Sequence, residues 1–314
     1  MSYETFLKNV EEKLQETLGE GVEISQNTFR NNNGQIRQGI TICKAGCSTA
    51  PTVYMEEYYS AYCKGKLIKE IAEEIAKFCV MLEQYPEARL DWMSDYKKAK
   101  WRIVPKLISK EKNAEILEQI PFVDWMDLAV VFYLLLHEDG RGTVSMTVQN
   151  AHLEEWGVTK EEVYQMAVEN AEYLLPAKLV AVEDLLEEEE SKMLPESILP
   201  AEILEEKNLL DKKFLEAEQE TEGMYVLTNS LQNYGAACIL YPKMPEKIEK
   251  LLGEDYYILP SSIHEMLIVP QQYSVGQEAF GRMICEINET QVLPEEVLGD
   301  HSYFYRAEKG ELSM

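Results

Sequence analysis

An α+β fold, mainly antiparallel sheets with helices packed on them in two domains, is predicted by three features of this chain. Apolar residues recur at helical spacing in several segments. Short β-prone runs follow one another with turn residues between them, and a strongly acidic stretch separates two regions of this kind.

In the opening segment Tyr3, Phe6, Leu7, Val10, Leu14 and Leu18 recur at steps of three and four, which predicts a helix with one apolar stripe; Gly19 and Gly21 end it. "VEISQNTFRNNNGQIRQGITICK" holds two β-prone runs around an Asn-rich turn with Gly34, the pattern of a hairpin whose outgoing strand is Ile36 to Lys44. After "PTVYMEEYY", the stretch Leu67 to Leu82 sets Leu67, Ile68, Ile71, Ile75, Phe78, Cys79 and Leu82 on one helical face, which closes a first core.

From Arg102 onward, "RIVPKLIS", "DLAVVFYLLL" and "TVSMTV" predict strands of an antiparallel sheet, the last two joined through "HEDGRG". Thr159 and Glu162 stand at capping-box spacing before Val163, Met166, Ala167, Asn170 and Leu174, a helical face with one polar interruption. Residues 183–222 carry 15 acids against 4 bases while keeping many Leu and Ile, and are read as an acidic, partly helical connection between domains 1–182 and 223–314. In the second domain "MYVLT", "GAACILYP", a helix from Pro245 to Leu252 stopped by Gly253, "YYIL" and "MLIV" suggest a ββαββ core. A helix from about Gln277 to Ile287 and a strand "SYFYRA" complete it.

A net charge of −26, from 56 acids and 30 bases, repels a phosphate backbone unless the charges are strongly segregated. Nucleic acid is therefore disfavoured, and a protein is the expected partner. "LAVVFYLLL" is too short for a membrane helix, which needs about 20 residues. The first residues show helical periodicity and early acids in place of a secretory signal, and six cysteines suit a reducing compartment. The expected location is the cytoplasm.

"YYILPSSIHEMLIV" places Ser262, His264 and Glu265, residue types of a nucleophile, a base and its orienting group, between two apolar runs. Neighbours this close on one backbone rarely converge on a common atom, and no G-x-S-x-G elbow presents the serine. The more economical reading makes Ser262 and Glu265 an S-x-x-E capping pair that shapes a connection between strands. Cys43, Cys47, Cys63 and Cys79 could offer thiolates to zinc, but Cys43 in a strand and Cys79 on an apolar helix face read as buried apolar thiols. His137, His152, His264 and His301 fall in no paired-ligand spacing, so no metal or cofactor is expected. A basic island, Lys97, Lys98, Lys100, Arg102, Lys106, Lys110 and Lys112, is interleaved with Trp92, Tyr96 and Trp101. Such a mixture can grip single strands, but the preferred reading sets the aromatics in the core and the lysines in water or against the acidic connection.

"GITICK", "PTVYMEEYY", "NAHLEEWGVT", "YGAACILYPKM", "YYILPSSIHEMLIVP" and "TQVLPEEVLGD" resemble, in order and over nearly the whole chain, an uncharacterised bacterial family catalogued as domain of unknown function 5688. The resemblance implies an origin in Gram-positive gut bacteria, often near phage or mobile-element genes. It implies no reaction, cofactor or catalytic residue.

The leading expectation is a non-catalytic binding or accessory protein. One alternative is a hydrolase-like enzyme using Ser262 or His264 in a cleft between the domains. Another is an acidic protein that imitates nucleic acid, and a third is strand binding by the basic island.

Overall fold

The computed structural model describes residues 1–44, 50–84, 92–139, 142–184 and 223–314 of the chain. It is an α+β protein with three antiparallel sheets, and it divides into two compact units: Met1–Ala99 with Leu135–Ser145, and Lys100–Leu134 with Met146–Met314.

In the first unit, α1 (Tyr3–Leu18) begins where the Ser2 hydroxyl accepts the Thr5 N–H, and it ends at Gly19, whose φ of 80° a side chain would resist. Its stripe buries Phe6, Leu7, Val10 and Leu14, each stabilising the fold by roughly 1.5–3 kcal/mol relative to exposure. β1 (Val22–Arg30), β2 (Ile36–Lys44) and β3 (Thr52–Tyr54) form a sheet in that order, with Ile24 opposite Ile42 and Gly39 opposite Tyr54. Ile40 and Ile42 point into the core with α1 and with Ile71, Ile75 and Cys79 of α3 (Ile68–Gln84), while α2 (Glu56–Cys63) adds Tyr58, Tyr59 and Tyr62 at its margin. Leu67, expected on the apolar face, precedes α3 and is exposed. The short α4 (Tyr96–Ala99) closes this unit.

The second unit starts with a 3-10 turn, Lys100–Arg102, and β4 (Ile103–Ser109). After α5 (Ala114–Leu117) come β5 (Phe122–Trp125), the long β6 (Leu128–Asp139) and β7 (Gly142–Thr147), of which residues 135–145 count with the first unit; β6 pairs with all three other strands of its sheet. α6 (Asn150–Trp156) and α7 (Lys160–Leu174) follow. The capping box of α7 forms as its spacing predicts: Thr159 Oγ1 accepts the Glu162 N–H at 3.2 Å, and Glu162 accepts the Thr159 N–H at 2.8 Å. Asn170, the polar interruption on the apolar face, is buried and donates through Nδ2 to the carbonyls of Lys100 and Ile103 at 2.6 and 2.9 Å. It satisfies backbone acceptors that an apolar side chain would leave bare.

A six-stranded antiparallel sheet completes the unit. Its members are β8 (Ala177–Ala181), β9 (Tyr225–Asn229), β10 (Tyr256–Ser262), β11 (Glu265–Pro270), β12 (Tyr303–Arg306) and β13 (Glu311–Ser313), in the order β13-β12-β10-β11-β9-β8. β8 and β9 pair from Ala177↔Asn229 to Ala181↔Tyr225, so the acidic segment connects neighbouring strands of one sheet. Most of that segment, 185–222, lies outside the described residues, and the two compact units divide elsewhere.

"GAACIL", expected as a strand, is a 3-10 helix, Gly235–Leu240, with all six residues buried, so the ββαββ order is not followed. An unbroken apolar run carries no periodicity to separate strand from helix. α8 (Met244–Leu252) has Pro245 in its first turn and Gly253 at φ 72° past its end, and α9 (Gln277–Thr290) packs Phe280 and Ile284 onto β10 and β11. Among the described residues no helix is long and apolar enough to cross a membrane.

Candidate functional site

Pro260, Ser261 and Ser262 end β10, Ile263 and His264 make the turn, and Glu265 opens β11. The register shifts between Leu259 and Ser262, so the hairpin tip carries a bulge that re-aims its side chains. Flanking runs of β-prone residues prevail over the S-x-x-E spacing, and the expected capping pair does not form. The Ser262 hydroxyl accepts the His264 N–H at 3.1 Å, and Ser261, not Ser262, reaches Glu265, at 3.5 Å.

The tip is tied down on every side. Ile263 donates its N–H to the Glu296 carbonyl at 2.8 Å, and Thr228 Oγ1 donates to the His264 carbonyl at 2.9 Å. Asn229, 1% exposed, folds the segment before the 3-10 helix: its Oδ1 accepts the N–H groups of Leu231 and Asn233, and its Nδ2 donates to the Asn233 carbonyl. That loop sets Tyr234 at φ 55° and brings Gly235 against the tip. A Cβ on Gly235 would sit 2.3 Å from Thr228 Oγ1 and 2.6 Å from the His264 oxygen, so no other residue fits there without a shift.

The imidazole of His264 stacks on the Tyr234 ring, with centroids 5.6 Å apart and planes 13° from parallel. Tyr133 meets that ring edge-on, and the Lys106 ammonium lies 4.0 Å from its centroid. Lys106 and Tyr133 come from β4 and β6, which pair Lys106 with Val131 and Val104 with Tyr133. His264 Nδ1 accepts the Tyr234 N–H at 3.2 Å, and Nε2 faces Glu296 Oε1 at 3.4 Å. Accepting at Nδ1 places the proton of the neutral ring on Nε2, toward Glu296.

Burial lowers the imidazole pKa first, Lys106 adds to the lowering, and Glu296 opposes both. The Glu265 carboxyl is pushed up by burial, offset in part by the Ser261 hydroxyl. A base that activates serine needs a free nitrogen lone pair within reach of the hydroxyl. Here the lone pair already accepts a backbone N–H, and the 7%-exposed Ser262 meets the histidine backbone instead of its ring. The three candidates are thus neighbours without being a triad. Tyr234, Lys106 and Glu296, which complete the cluster, lie far off in sequence, and no local signal marks them.

The other expected sites are dispersed. Cys79 is buried, Cys43 is exposed on β2 instead of buried, Cys63 is exposed, and Cys47 lies outside the described residues. Cys43 lies between Ile42 and Lys44 on the face of β2 that points away from the helices. Among the described residues no group of three or more His, Cys, Asp and Glu side chains could hold a metal ion. His152 Nδ1 accepts the Gln149 N–H at 2.9 Å within α6's cap, and burial lowers its pKa. His301 lies between Asp300 and Asp127, 2.8 Å from the first through Nδ1 and 3.6 Å from the second through Nε2; Tyr303 donates to Asp127 at 2.7 Å. The two carboxylates face opposite edges of the ring, so they do not converge on one point. In the basic island Lys98 reaches Asp95 and Lys110 reaches Asp124. Trp101, expected in the core, is 59% exposed beneath the Lys100 ammonium, because its 3-10 turn is held by the backbone bonds to Asn170.

Neither a curated protein nor a solved structure matches the chain. A family model does match residues 3–307, which takes in the PSSIHE hairpin, the Tyr234 loop and Glu296 together. The chain with this pinned tip therefore belongs to a family of unknown function, DUF5688.

Proposed function

We propose that this protein is a non-catalytic binding or accessory protein of the bacterial cytoplasm, acting for the cell or for its mobile elements. One observation carries the reading. The only serine–histidine–glutamate cluster singled out by the sequence spends its polar groups on the fold, with His264 Nδ1 accepting the Tyr234 N–H and Ser262 accepting the His264 N–H. Its groups act as pins on a hairpin, not as a nucleophile and a base.

The hydrolase alternative draws on the His264–Glu296 contact, which resembles the base and orienting pair of a triad. A fluorophosphonate probe and a p-nitrophenyl ester separate the two. The expected result is no labelling of Ser262 and identical background ester turnover for the wild type, Ser262→Ala and His264→Gln. Turnover by the wild type that both substitutions abolish, with folding retained by circular dichroism, overturns the non-catalytic reading.

A further inference from the structure

β1 is the long outer strand of the first sheet: nine residues in unbroken register with β2, with no proline, glycine, lysine or bulge to blunt the edge. Among the described residues it pairs with β2 alone. The hydrogen bonds of β2 fix which way the backbone of β1 points. Ile42 donates its N–H to the Pro51 carbonyl at 3.0 Å, and the Gln38 carbonyl accepts the Met55 N–H at 3.1 Å, so the even-numbered residues of β2 are spent on the β3 side. Ile24 stands opposite Ile42, Gln26 opposite Ile40 and Thr28 opposite Gln38. The members of such an antiparallel pair turn their backbones away from each other. Ile24, Gln26 and Thr28 therefore present N–H and C=O groups at the outer edge, where no described residue bonds them. Val22 is spent already: its carbonyl accepts Gln15 Nε2 of α1 at 3.2 Å.

Two copies of a chain with a net charge of −26 repel each other over most of their surface. Residues 24–55, which include most of this sheet, hold no acid. Even-numbered side chains of β1 lie on the helix side of the sheet, where Gln26 Nε2 donates to Glu11 Oε2 of α1 at 2.5 Å. Gln26, Thr28 and Arg30 are all exposed there.

We infer that β1 pairs antiparallel with β1 of a second copy, joining two three-stranded sheets into one about a two-fold axis at Asn27. With the Val22 carbonyl taken, the pairing runs over residues 24–30: Ile24 opposite Arg30, Ser25 opposite Phe29, and Gln26 opposite Thr28. Exposed Glu23 stays beyond it. Each Arg30 then lies diagonal to Gln26 of the other copy, beside the Glu11 carboxylate that Gln26 holds. Opposite charges meet twice, once on each side of the axis. Parallel pairing would set Arg30 beside Arg30. β3, at the other edge of the sheet, has three residues, too few for a second joint of this kind, so association closes at two copies. The strand of a different protein would fit the backbone edge but would not need the reciprocal match of Arg30 to Glu11.

Sedimentation velocity of the full chain over a dilution series tests this, and a monomer–dimer equilibrium is expected. Thr28→Pro deletes one outward donor per copy without touching the ladder to β2, as proline does at an edge position. It should weaken the dimer about tenfold, the order of two lost hydrogen bonds, with the circular dichroism unchanged. Gln26→Lys with Thr28→Lys, which keeps a partner for Glu11 but sets lysine against lysine, should leave a monomer. Gln26→Lys with Thr28→Glu should restore the dimer, a rescue that a merely destabilised fold would not show. A monomer at every concentration, the outcome for an edge that takes another protein's strand, overturns the inference. So does a dimer indifferent to Thr28→Pro and to the paired lysines, or a charge swap that restores nothing. None of those results touches the non-catalytic reading, which falls only to Ser262-dependent turnover.

Discussion

Thr159–Glu162 and Ser262–Glu265 share one spacing and end in opposite structures. At the first, hydroxyl and carboxylate trade bonds with each other's backbone N–H and open a 15-residue helix. At the second, the serine turns to the next histidine's N–H and the glutamate pairs across a hairpin. The residues that follow decide. Thr159 precedes an apolar face repeating every three or four positions, whereas Ser262 stands between "YYIL" and "MLIV", strands already paired to β12 and β9. A capping motif specifies a helix only where the chain beyond it has a helical face to bury.

The largest effect is expected at Gly235. Gly235→Ala forces a methyl against Thr228 and the backbone of His264 and Asn229, and should cost about 3 kcal/mol, the upper end for overpacking. Urea denaturation measures it; a loss below about 1 kcal/mol, the lower end of that range, would mean that the tip is not pinned as described.

A smaller effect is expected from Thr159→Ala, which removes the cap and keeps the carboxylate: about 1 kcal/mol, with the helix retained. Circular dichroism with urea melting checks both. An unchanged midpoint would deny the capping box its role.

The subtlest effect lies in the pH dependence, where the two glutamates should act with opposite sign. Hydrogen bonds from the Thr159 backbone, and then its hydroxyl, hold Glu162 below its usual range. Its stabilisation is full above the unfolded carboxylate pKa and is lost as pH falls through the lowered folded value. Burial raises Glu265, so its contribution is full below the unfolded value and is lost as pH rises through the raised one. Glu162→Gln should therefore flatten the acid limb of the stability profile, and Glu265→Gln should relieve a loss on the way to neutrality. Unfolding midpoints across the carboxylate range check this, and a shared sign refutes the contrast.

Patterns carried on one helix were legible in advance. The stripe of α1, the face of α3 and the cap of α7 all follow from side chains three and four apart, which meet whatever surrounds them. "GAACIL" was opaque because burial on all sides erases periodicity, and the exposure of Trp101 because it follows from Asn170, far along the chain. Of the candidate site, Ser262, His264 and Glu265 were visible as types, but their roles depended on Tyr234, Lys106 and Glu296.

The sequence by itself determined the α+β class, the main helices with their caps, and the near full-length family membership, because local periodicity and motif order require no folded context. Only the tertiary structure decided that β8 and β9 pair across the acidic segment and that the imidazole lone pair serves a backbone N–H. Strand pairing and side-chain protonation are set by groups brought together across long stretches of chain, and their energies exist only once those groups are buried side by side.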